Sequence, residues 1–87
     1  MAAKMSDELT KLLERVGKIE PQQTIPVIVT VTPGANLTML EQKGLKIQRI
    51  FEHISALSGT LTAAQANELA QLDQVENIEY DGEMRAI

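Results

Sequence analysis

Leu45-Lys46-Ile47-Gln48-Arg49-Ile50-Phe51-Glu52, then Ala56-Leu57-Ser58-Gly59-Thr60-Leu61, then Thr62-Ala63-Ala64-Gln65 make up the stretch that decides the fold. In the first segment Leu45, Ile47, Arg49 and Phe51 alternate with Lys46, Gln48, Ile50 and Glu52, and a period of two predicts a strand with one mainly apolar face. A further strand is expected over Ala56 to Leu61. Thr62-Ala63-Ala64-Gln65 is a capping box: the threonine hydroxyl accepts from the amide three residues on, and the glutamine side chain reaches back to the cap amide. A helix therefore opens there, and the segment reads strand, strand, helix.

Outward from this segment the pattern repeats its own logic. Upstream, Ile25 to Val31 is β-branched and mostly apolar, which predicts a strand, with Pro26 tolerable only near its start. Pro33-Gly34 breaks that strand. Asn36 then caps a short helix of two turns carrying Leu37, Met39 and Leu40, and Gly44 ends it. Downstream, Ala66, Leu69 and Ala70, with Leu72 or Val75, supply the buried stripe of the helix after the capping box. Glu76 to Asp81 closes the domain as a strand with Ile78 and Tyr80 on one face. The order βαββαβ predicts an α+β fold of the ferredoxin-like type, an antiparallel sheet with two helices on one face.

Before this unit, Leu9, Leu12, Leu13, Val16 and Ile19 recur at spacings of three and four. They predict an amphipathic helix over 6–19, with Ser6 or Asp7 as its cap and Gly17 and Pro21 bringing it to an end. The apolar stripe must bury itself either across the domain's own sheet or against a second copy, and the pattern does not choose between them. The expected division is an N-terminal helical extension and linker over 1–24, an α+β domain over 25–83 and an extended tail over 84–87.

Composition narrows the function classes. A chain of 87 residues makes one domain and buries only about 60% of its unfolded surface. With no cysteine, neither a disulfide nor a thiolate metal site can reinforce it. Met1-Ala2-Ala3-Lys4 leads into charged residues rather than an apolar run, so neither a secretory signal nor a membrane span is expected and the chain reads as cytoplasmic. The net charge is −4, and Asp73, Glu76, Glu79, Asp81 and Glu83 are offset near the end only by Arg85. One Phe, one Tyr and no basic patch argue against nucleic acid as a partner.

Nothing in the chain reads as an enzyme. His53 is the only histidine; with Ser55, Ser58 and Asp73 it offers residue types but no spacing that activates a nucleophile. The acidic residues near the end are strand-spaced rather than arranged as a calcium loop, and the glycines form no phosphate cradle, so no metal or cofactor is expected. Glu79 and Asp81 share a strand face and can offer two carboxylates to the amide-rich N-termini of a partner's helices. They can equally be solvated edge charges that discourage aggregation. Met84-Arg85-Ala86-Ile87 carries spaced apolar side chains and is too short for a core of its own, which suits addition as a strand to a partner.

Gly44-Leu45-Lys46-Ile47-Gln48-Arg49-Ile50-Phe51, Thr60-Leu61-Thr62 opening a helix, Leu69, Val75 and Ile78-Glu79-Tyr80-Asp81 together resemble the propeptides of subtilisin-like serine proteases and their free-standing inhibitor relatives. The resemblance covers roughly residues 26–87. It implies a non-enzymatic protein whose sheet face opposite the helices packs on two helices of a subtilisin-like protease, with Glu79 and Asp81 as helix caps and Glu83 beside them. The tail would then lie in the active-site cleft like a cleaved product. Ile87 would fill the primary pocket, Ala86 the constricted one, Arg85 would point to solvent and Met84 would fill the distal apolar pocket. Two departures stand out: the segment Pro33 to Lys43 is shorter than the family's first helix, and residues 1–20 have no counterpart. No protease domain follows Ile87, so the expected action is in trans, as an inhibitor and a folding helper. The alternative is a ferredoxin-like interaction module that self-associates through its N-terminal helix and meets no protease.

Overall fold

A computed structural model of the chain describes residues 4–81. Ser6 lies in extended backbone and its hydroxyl accepts from the Leu9 amide at 3.3 Å, so helix α1 starts at Asp7 and runs to Ile19. Asp7 and Glu8 in its first turn and Lys18 in its last are placed to offset the helix dipole. Gly17 does not stop it; the last turn closes with the Glu20 amide donating to the Val16 carbonyl at 2.7 Å. Strand β1 (Ile25–Val31), helix α2 (Leu37–Gln42), strand β2 (Lys46–Phe51), a 3-10 turn (Glu52–Ile54), strand β3 (Ala56–Leu61), helix α3 (Ala63–Ala70) and strand β4 (Val75–Tyr80) follow. The described residues are thus an α+β unit with one four-stranded antiparallel sheet and three helices.

Local capping sets these boundaries as the residue types dictate. Both halves of the capping box at α3 are made: the Thr62 amide donates to Gln65 Oε1 at 2.8 Å, and Thr62 Oγ1 accepts from the Gln65 amide at 3.3 Å. Replacing Thr62 with Ala removes the acceptor and is expected to cost about 1 kcal/mol in urea unfolding. An unchanged midpoint would mean that the turn holds without its cap. Asn36 Oδ1 caps α2 through the Thr38 amide, and Gly44 leaves that helix at φ +105°, a conformation that disfavours any side chain. The Asn36 amide also donates to Gln74 Oε1, while the Thr32 amide donates to the Gln74 carbonyl at 2.8 Å. Gln74 thereby ties the start of α2 to the loop before β4.

The sheet has the order β2-β3-β1-β4, and every neighbouring pair is antiparallel. Ile25, Val27, Val29 and Val31 of β1 are buried, alternating with half-buried Pro26, Ile28 and Thr30. Opposite them, Leu57 and Leu61 of β3 and Val75 and Ile78 of β4 turn to the same side, where Leu9 and Leu13 of α1, Leu40 of α2 and Ala66 and Leu69 of α3 complete one core. Of the apolar stripe of α1, Leu9 and Leu13 are thus buried in the chain's own core and Leu12 and Val16 pack against it, while Ile19 at the end of the helix stays exposed. Fully burying a side chain of this size contributes about 1.5–3 kcal/mol. Ahead of α1, Met5 forms a parallel bridge to Ile78: the Ser6 amide donates to the Ile78 carbonyl at 3.1 Å and the Ile78 amide to the Lys4 carbonyl at 2.6 Å. That pairing covers the outer edge of β4.

The uninterrupted alternation expected across Leu45 to Glu52 is not what forms. Ile47 pairs with Gly59 but Arg49 pairs with Ser58, so the register shifts at Gln48. A bulge places two residues against one and inverts the facing of all that follow. Leu45 and Ile47 stay with the core, whereas Arg49 and Phe51 move to the opposite face.

Candidate functional site: the open face of the sheet

All three helices send their buried residues to one side of the sheet, and the other side carries none of them. Residues directly opposite each other on paired strands share a face, so the registers define the open side in rows. Across the middle run Arg49 (β2), Ser58 (β3), Ile28 (β1) and Glu79 (β4). The row nearer the start of β2 holds Lys46, Thr60 and Pro26, and Asp81 joins it because its amide donates to the Pro26 carbonyl at 3.0 Å. The third row holds Phe51, Ala56, Thr30 and Asn77.

This face has relief and polarity. Along β3 it carries the small side chains Ala56, Ser58 and Thr60, flanked by Phe51 and Arg49 on one side and by Thr30, Ile28 and Pro26 on the other. Ser58 is only 7% exposed although, among the described residues, no helix covers it, because its neighbours stand taller. The result is a trough along β3 beside a ridge along β1. The β2 margin is basic, with Lys46 and Arg49 exposed, and the Arg49 guanidinium lies 5.9 Å from the centroid of the Phe51 ring. The β4 margin is acidic, with Glu79 exposed and its Oε1 accepting from Asn77 Nδ2 at 2.9 Å. Three inter-strand spacings, roughly 14 Å, separate Arg49 from Glu79, too far for them to pair within one chain.

Glu79 and Asp81 thus stand on the open face at its acidic margin. Glu83, Met84, Arg85, Ala86 and Ile87 lie outside the described residues. A shallow groove lined by Leu12, Arg15, Val16, Ile25, Pro26 and Tyr80 runs beside α1, next to the place where β4 ends. Arg49 and Phe51 were not legible as members of the open face, because only the bulge at Gln48 turns them to it; Lys46, ahead of the bulge, lies opposite Leu45 and Ile47 as the alternation predicts.

The side chains that could suggest catalysis are scattered. His53 is exposed in the turn joining β2 to β3, with Ser55 beside it at φ 50°; Asp73 lies in the connection into β4, at the other edge of the sheet. Among the described residues no group of three or more His, Cys, Asp or Glu is arranged to hold a metal ion. Among them, too, no helix is long and apolar enough to cross a membrane. No protein-family model and no curated protein matches the chain.

Proposed function

We propose that the chain is a ferredoxin-like domain acting as a proteinaceous inhibitor of a subtilisin-like serine protease, docking by the open face of its sheet and presenting Met84 to Ile87 to the active-site cleft. The observation that carries this is the open face itself, with Glu79 and Asp81 along the margin from which the chain passes to residues 82–87. From the β4 edge the strand order is β4-β1-β3-β2, with the two connecting helices on one side, in keeping with a split βαβ arrangement. The sequence resemblance over 26–87 supplies the partner. A carboxylate at a partner's helix N-terminus contributes about 0.3–1 kcal/mol when exposed and up to about 2 when partly buried. Docking also favours the folded protease over its unfolded chain, so the same contact would serve a folding helper in trans.

Titration of the purified chain against a panel of subtilisin-like and trypsin-like proteases tests this. Competitive inhibition of at least one subtilisin-like enzyme is expected at micromolar affinity or better, about 8 kcal/mol of binding, with the trypsin-like enzymes unaffected. Replacing Glu79 and Asp81 together with Ala should weaken it by about 1–3 kcal/mol with the circular dichroism unchanged. If no enzyme of the subtilisin type is slowed at high micromolar chain, the proposal fails. Undiminished inhibition by the double variant would make the two carboxylates plain solvated charges.

A further inference from the structure

We infer that the open face also docks a second copy of this chain, face to face, about a two-fold axis running along the strands between β3 and β1. Such an axis brings each strand opposite its mirror position in the sheet: β2 faces β4 of the other copy and β3 faces β1. Charge and shape then match at every position of the middle row. Arg49 meets Glu79 of the other copy and Glu79 meets its Arg49, while the Ile28 ridge enters the trough at Ser58 twice over. In the next row Lys46 lies opposite Asp81, and in the third Phe51 lies opposite Asn77. A two-fold contact requires a patch complementary to itself. The basic margin, small trough, apolar ridge and acidic margin follow one another across the sheet in the order that satisfies this. Two sheets packed this way keep their strands within about 30° of each other at a spacing of about 10 Å.

The size of the face sets the strength of the contact. Four strands by six residues span roughly 19 by 20 Å, so each copy offers on the order of 400 Å² in outline, about half of what one partner buries in a standard stable complex. The dimer therefore forms and separates with concentration. Where the face also docks a protease, which rests on the function proposed above, the second copy and the protease compete for it, and the chain covers its own docking surface when concentrated.

Sedimentation equilibrium on the full chain, without protease, tests the dimer independently of any inhibition. Dimer is expected to grow in as the concentration rises from about 10 µM to about 1 mM, in the range of weak contacts, and to recede in high salt. Arg49→Glu and Glu79→Arg should each raise the dissociation constant at least about tenfold by setting like charges against each other. The double variant R49E/E79R should bring it back to within about threefold, since the exchanged pair again meets its opposite. Both side chains are exposed, so the variants are expected to fold, and circular dichroism checks that they do. A chain that stays monomeric throughout overturns the dimer even if it inhibits a protease. So do single variants that dimerise like the parent, and so does a folded double variant that remains monomeric. A dimer with this charge pattern and no inhibition leaves the inference standing and removes the protease instead.

Discussion

Replacing Leu9 with Ala is expected to lower stability by about 3–5 kcal/mol, the upper part of the range for truncating a fully buried leucine. Leu9 is 0% exposed and lies in the same core as Val27, Val29, Leu69 and Ile78, so the lost methyl groups leave a cavity that α1 cannot close alone. A chain of this size holds on the order of 5–10 kcal/mol in total, so the variant should unfold at a much lower urea concentration. Ile19, on the same helix but 74% exposed, gives the contrast: Ile19→Ala should shift stability by under about 0.5 kcal/mol. Equal midpoints for the two variants would mean that α1 rests on the domain without being part of its core. The Met5–Ile78 bridge argues the same way, since the residues ahead of α1 share the hydrogen bonding of β4.

The fold was legible wherever a local rule had a single solution. Thr62 and Gln65 announce α3, Asn36 announces α2, and the β-branched run Ile25 to Val31 forms the strand it suggests, because caps and alternation act over a few residues. Long-range placement was less legible. The stripe Leu9, Leu12, Leu13 and Val16 says that a helix face is buried but not against what, and only the assembled core supplies the answer. The bulge at Gln48 was invisible for a related reason. Lys46 to Phe51 contains no glycine to mark a bulge, so the alternation reads as unbroken although the pairing with β3 slips. That slip decides the candidate site, since it turns Arg49 and Phe51 outward and gives the open face its basic margin. Glu79 and Asp81 were legible because β4 keeps its period from Asn77 onward.

The other large effect is expected at Gly59, where replacement by Val should cost about 3 kcal/mol or more, at the upper end of overpacking penalties. Gly59 lies in β3 between Val27 of β1 and Ile47 of β2. A Cβ there would run into the Lys46 carbonyl oxygen, with Leu45 Cδ1 at 3.1 Å, so the obstruction is mainly backbone and cannot swing aside. Valine suits strands better than glycine by intrinsic preference, so a loss of stability would have to come from this collision. Gly34 separates space from backbone freedom: it has φ +80° with nothing within 4 Å of a built Cβ, and Gly34→Ala should cost only about 1–2 kcal/mol for the left-handed backbone. Because β2 is an edge strand, the Gly59 variant relieves its clash most cheaply by pushing β2 away from β3. That movement carries Lys46, Arg49 and Phe51 with it. Amide hydrogen exchange should therefore show β2 opening before β1 and β4, with self-association lost while the rest of the sheet is still protected. A Gly59→Val chain as stable as Gly34→Ala, with β2 still protected, would mean that β2 and β3 are not held as close as their pairing indicates.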